Sequence, residues 1–116
     1  MKTDLRIEQI VSELKGVLGS PLTTLVAGIK NQQLINKWEK GEQIPSAESK
    51  WRLRLASQVV QILQKSEELG TIRSWFVGTD PILEGRSPAM VISEAEKGDY
   101  DLKLRVIQAA EAFLAE

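Results

Sequence analysis

Apolar residues recur every three or four positions along almost the whole chain, the spacing that places them on one side of an α-helix. No segment alternates apolar and polar residues with the period of two that is typical of a half-buried β-strand. Glycine, proline and aspartate fall at the joints between the apolar runs. We therefore predict an all-α fold with one continuous core and about seven or eight helices.

Capping residues and helix breakers set the predicted boundaries. The predicted helices run from Thr3 or Asp4 to about Leu18, as two short helices between Ser20 and Gly41, from Ala47 to about Glu68, from Ile72 to Val77, from Pro88 to about Glu96, and from Asp101 to Ala115. Ser46, Asp80, Ser87 and Asp99 are predicted to cap the elements that follow them. The helix from Ala47 is apolar over a broad arc, so it should pack against both halves of the chain, and Trp38, Trp51 and Trp75 should be buried.

The stretch from Ser20 to Gly41 is the most informative part of the sequence. Ser20 is suited to cap a helix in which Pro21 takes the first position, and Gly28 ends that helix. A second helix is predicted to begin at Asn31 and to end at Gly41, where glycine accepts a left-handed conformation.

The second helix of this pair has two chemically different faces. Its apolar face carries Leu34, Ile35 and Trp38, and its polar face carries Gln32, Gln33, Asn36, Lys37 and Lys40. Side-chain amides can pair with adenine edges, and lysines can reach guanine or phosphate. The polar face therefore suits the DNA major groove, although a helical hairpin with a solvated face would have the same pattern.

Residues 20–45 resemble the helix-turn-helix of Xre-type regulators. Trp38-Glu39-Lys40-Gly41 matches the W-E-x-G that closes the recognition helix in that family. The segment from Ile29 to Trp38 is one residue longer than the common pattern, so Lys30 and Asn31 join the candidate DNA contacts. Lys50, Arg52 and Arg54, near the start of the longest helix, are either further phosphate contacts or a solvated basic turn.

Length and charge agree with one small regulatory domain. The 116 residues fit a single core, and the net charge of −1 argues against indiscriminate binding to nucleic acid. Residues 30–54 carry an excess of basic side chains, whereas residues 70–116 carry an excess of acidic ones. A basic middle and an acidic end fit a DNA-binding face backed by a protein-interaction face.

Several classes of function are disfavoured by what the sequence lacks. The chain has no cysteine and no histidine, which removes thiolate chemistry and the commonest general base and metal ligand. Neither GxxxxGK nor GxGxxG occurs, and no carboxylates are spaced as metal ligands. We expect no enzymatic activity, cofactor, metal or small-molecule substrate. No apolar run is long enough to span a membrane and residues 1–4 lack the apolar core of a signal peptide, so we expect a cytoplasmic protein.

The C-terminal part carries a second resemblance. The toxin-binding module of the MbcA/ParS/Xre antitoxins is resembled by Trp75, Pro81, Leu83, Gly85, Arg86, Ser87 and Pro88. The segment 109–114 resembles the alanine-rich ending of Xre-like proteins that couple this module to an N-terminal helix-turn-helix. The resemblance implies a DNA-binding region over 1–70 and a toxin-binding-like region over 71–116. It further implies a homodimer that binds its own promoter and a cognate toxin, with partner contacts at Trp75, Arg86, Ser87 and Pro88.

Two alternatives to this interpretation stay open. Trp75, Pro81, Ser87 and Pro88 have the residue types to fix a turn and fill a core without touching a partner. The whole chain could also be a helical adaptor or assembly module that does not bind DNA.

Overall fold

The computed structural model describes residues 6–116, and the elements of this part of the chain are helices joined by turns and short loops. Its elements are α1 (Ile7–Leu18), α2 (Ser20–Ala27), α3 (Gln33–Glu39), α4 (Ala47–Leu63), α5 (Leu69–Val77), a 3-10 turn (Pro81–Leu83), α6 (Pro88–Ser93) and α7 (Tyr100–Leu114). Within these residues the only β pairing is an isolated antiparallel bridge between Asp80 and Arg86. The predicted all-α fold is confirmed.

The predicted caps at Ser46, Asp80, Ser87 and Asp99 are in place. The Ser46 hydroxyl accepts a hydrogen bond from the backbone N–H of Ser49 at 3.1 Å. The Asp80 carboxylate accepts from Ile82 at 2.8 Å, and Asp99 accepts from Leu102 at 3.1 Å. Each bond satisfies a backbone donor that has no partner within its own helix.

The starts of α1 and α2 differ from the prediction. Within the described residues α1 begins at Ile7, and Thr3 and Asp4 lie outside them. Ser20 is not a cap but the first helical residue, because Gly19, with φ of 86°, ends α1 and starts α2 without an intervening turn. Only glycine adopts that left-handed φ without strain, so the cap position falls on Gly19.

Three helices are shorter or placed differently than predicted. α4 ends at Leu63 rather than near Glu68, since the polar residues 64–68 offer no apolar side chain to bury. α5 then begins at Leu69, so Gly70 lies in a first helical turn instead of breaking the chain. α6 stops at Ser93 because the chain turns to bury Ala95, whose carbonyl accepts a hydrogen bond from Arg52 Nε at 2.7 Å.

One hydrophobic core joins the helices, and α4 lies at its centre. α4 packs against α1 and α2 on the N-terminal side and against α6 and α7 on the C-terminal side, as predicted. α1 also contacts α5, and α2 contacts α6, so the helices on either side of residue 70 share this core. In the described range, none of the helices has both the length and the apolar character that a membrane crossing requires.

Two of the three tryptophans are buried as predicted. Trp38 is 4% exposed and Trp75 is 7% exposed. The prediction for Trp51 is wrong in degree, because its side chain is only partly buried at the margin of the core. Its indole packs edge-on against Tyr100, with ring centroids 6.4 Å apart.

Candidate nucleic-acid interface

The helix α3 carries most of the predicted DNA contacts and is shorter than the predicted span from Asn31 to Gly41. Asn31 and Gln32 form a turn before it, in which Asn31 Oδ1 accepts from the backbone N–H of Gln33 at 2.9 Å. Asparagine side chains commonly make such local bonds at helix starts, which explains the later beginning. Gly41, with φ of 75°, follows the last turn. Gly28, with φ of 78°, ends α2 as predicted.

α3 is held by two buried side chains. Ile35 is fully buried and Trp38 nearly so, and the helix packs against α1 and α2. A helix of seven residues is too short to be stable in isolation, so this packing is what maintains it.

The opposite face of α3 brings the predicted polar residues together at the surface. At 3.6 residues per turn, Gln33, Lys37 and Lys40 lie on the side away from Ile35 and Trp38, and all three are exposed. Lys30, Asn31 and Gln32 are also exposed, in the segment that leads into the helix. The arrangement presents one amide and two flexible cations on one exposed side of α3.

Asn36 is placed differently from its predicted neighbours. Its Oδ1 accepts a hydrogen bond from Lys15 Nζ on α1 at 3.0 Å. Lys15 also forms an ion pair with Glu39, at 3.0 Å between Nζ and Oε1. Asn36 is exposed like Gln33, Lys37 and Lys40, but its Oδ1 is engaged at the junction between α1 and α3.

Lys15 is a site residue that sequence reasoning missed. Its hydrogen bond, reinforced by one from Ser12, holds the pKa of the Glu39 carboxyl below its ordinary value. Glu39 therefore stays ionised and balances the charge of Lys15. The positive charge on the exposed face of α3 is left to Lys37 and Lys40, and the Glu8 carboxylate lies beside Gly41 at the end of that face. A local sequence signal for Lys15 is lacking, since its partners are 21 and 24 residues away.

The basic residues at the start of α4 lie in two different environments. Arg52 points into the protein, where Nε donates to the carbonyl of Ala95 at 2.7 Å and Nη1 to that of Ala27 at 3.3 Å. Arg52 thus ties the end of α2 to the segment after α6 and is not a phosphate contact. Lys50 and Arg54 lie on the outer side of α4.

The predicted partner-binding residues are mostly structural in their observed contacts. Trp75 is buried and packs edge-on against Phe76, with centroids 5.2 Å apart. Ser87 caps α6 and Pro88 is buried in its first turn. Arg86 is exposed; its guanidinium donates to Glu94 Oε1 at 2.6 Å, and its carbonyl accepts from the N–H of Asp80 at 3.2 Å. Of these four residues, Arg86 is therefore the one with an exposed side chain.

The fold defines an all-α protein in which a short anchored helix exposes an amide and two lysines. Comparisons of the chain with family models, with curated proteins and with solved structures give no match.

Proposed function

We propose that this protein is a DNA-binding transcriptional regulator that places α3 in the major groove. The observation that carries the proposal is the polarity of α3, with Gln33, Lys37 and Lys40 exposed on one face and Ile35 and Trp38 buried on the other. A helix that is fixed on its apolar side can present its polar side chains to base edges without having to become ordered on binding.

The side chains of this face divide into two roles. Gln33 offers a paired donor and acceptor that match the N6 and N7 atoms of adenine. Lys37 and Lys40 are long cations that suit phosphate contacts, which position the helix without reading sequence. Gln32, Asn31 and Lys30 precede α3 and extend the same surface toward its N-terminal end.

The resemblance to the MbcA/ParS/Xre antitoxins supports a more specific form of the proposal. The regulator would act in the bacterial cytoplasm as a homodimer, bind the promoter of its own operon and contact a cognate toxin through the C-terminal part. Arg86 is the best placed of the predicted toxin contacts, because its side chain is at the surface. Two-fold symmetry would let the dimer read half-sites about 34 Å apart.

A helical adaptor without DNA binding is the second candidate. The hydrogen bond between Asn36 and Lys15 favours it, because this bond engages the Oδ1 of one amide that would read bases. The net charge of −1 also gives no general attraction to polyanions.

Base readout by Gln33 is the property that separates the two candidates. Fluorescence anisotropy with a labelled duplex from the region upstream of the gene, and with a scrambled duplex, measures sequence preference. Gln33→Ala should weaken binding to the upstream duplex by about 1–3 kcal/mol and should change scrambled-duplex binding much less. Gln108→Ala, which removes an exposed amide on α7, is the matched control and should leave both affinities unchanged.

Sedimentation of the protein at micromolar concentration tests the proposed dimer. A dimer is expected with or without DNA. A strict monomer in both conditions would contradict the two-fold arrangement while leaving the role of α3 to the anisotropy experiment.

A further inference from the structure

A groove runs along the outer side of α4 where α4 meets the start of α7. It consists of two adjoining cavities of about 340 Å³ and 180 Å³. Trp51 and Arg54 line both cavities, so the two form one continuous depression, here called the α4–α7 groove.

Side chains of one charge sign surround the α4–α7 groove. Lys50, Arg54, Lys97 and Lys103 line it, and no carboxylate does so among the described residues. Asp99, two residues after Lys97, faces elsewhere, because it caps α7 and lines a different cavity, near Leu83. That second cavity carries both arginines and carboxylates, in contrast to the α4–α7 groove.

The floor of the groove is apolar. Trp51 and Tyr100 pack edge to face at 77°, and the buried Leu55 lies beneath them. Lys103 Nζ is 5.8 Å from the centroid of the Tyr100 ring, so a cation already occupies one face of that ring. A stacked nucleic-acid base would have to use the remaining face of Tyr100, whereas an apolar side chain can also pack against the ring edges.

We propose that the α4–α7 groove binds an acidic peptide segment of a partner protein. The carboxylates of the segment would pair with the lysines of the rim, Lys50, Lys97 and Lys103. An apolar side chain of the segment would pack against Trp51 and Tyr100, whose large surfaces are typical of interface anchors. This surface lies on helices other than α3, so the inference does not rest on DNA binding.

A fluorescein-labelled peptide with the repeated sequence Glu-Glu-Phe is the probe, and its binding is followed by anisotropy. We expect saturable binding that weakens as salt is raised, because rim charges dominate the attraction. The double variant Lys97→Glu/Lys103→Glu should weaken binding about tenfold or more. Lys65→Glu/Arg105→Glu makes the same change in net charge outside the groove and should change the affinity less than about twofold.

Three results would overturn the proposal. One is the absence of saturable binding of the peptide to the wild type. The second is an equal loss in the two double variants, which would mean that net charge alone attracts the peptide. The third is tighter binding of a labelled oligothymidylate than of the peptide, with the same dependence on Lys97 and Lys103, which would make the groove a nucleic-acid site. Matching circular dichroism spectra and unfolding midpoints would establish that both variants are folded.

Discussion

The stability of the α3 anchor gives the sharpest physical prediction. Trp38 is 4% exposed and, with Ile35, fastens α3 to the core. Truncating a buried tryptophan removes its burial and leaves a cavity, which costs about 3–5 kcal/mol. Domains of this size have a free energy of unfolding of about 5–15 kcal/mol, so Trp38→Ala should remove a large share of it.

Trp51→Ala is the matched control, because it deletes the same side chain from a partly buried site. Folding removes less of the Trp51 indole surface from water, so we expect Trp51→Ala to lower the free energy of unfolding by about half as much as Trp38→Ala. Urea unfolding followed by circular dichroism at one protein concentration measures both values. If Trp38→Ala were as stable as the wild type, or if the two variants lost equal stability, then burial of Trp38 would not hold α3 on the core.

The remaining predictions concern glycine positions and the charge pair beside α3. Gly16→Ala should raise stability by up to about 1 kcal/mol, since Gly16 lies in the last turn of α1 and nothing is within 4 Å of the added Cβ. Gly28→Ala should lower stability, because φ is 78° and the added Cβ would lie 3.1 Å from the carbonyl oxygen of Ser93 and against the guanidinium of Arg52. Thermal unfolding should therefore show a raised midpoint for Gly16→Ala and a lowered midpoint for Gly28→Ala. Glu39→Gln should cost up to about 1 kcal/mol at pH 7, as is usual for an exposed ion pair such as that with Lys15. Folding lowers the pKa of Glu39, so this stabilisation is present above the ordinary value of 4.5 and is lost as the pH falls through the pKa of the folded state. The urea midpoints of wild type and variant should therefore differ less at low pH than at pH 7.

Local signals in the sequence predicted most of the fold. Ser46, Ser87 and Asp99 act on backbone groups within their own first helical turn, so residue type and position suffice to find them. The apolar spacing likewise predicted the central position of α4. The early end of α4 at Leu63 was missed, because a polar segment is compatible with either a helix or a turn until tertiary packing selects one.

Long-range contacts could not be predicted, and they change the candidate site. The polar pattern of α3 placed Asn36 among its DNA contacts, but it could not show that Asn36 Oδ1 accepts a hydrogen bond from Lys15 on α1. Arg52 had the residue type of a phosphate contact, but it binds carbonyls that are 43 and 25 residues away in the chain. Such pairings depend on how helices pack, which helical periodicity alone does not determine.

The salt dependence of duplex binding tests the central proposal most directly. Each lysine that neutralises a phosphate contributes about 0.9 to the slope of log affinity against log salt concentration. Lys37→Ala/Lys40→Ala should therefore bind the upstream duplex more weakly and with a slope shallower by about two, whereas Lys65→Ala should match the wild type. An unchanged slope in the double variant, or a wild type that binds upstream and scrambled duplexes equally well, would contradict DNA recognition by α3 and favour the adaptor.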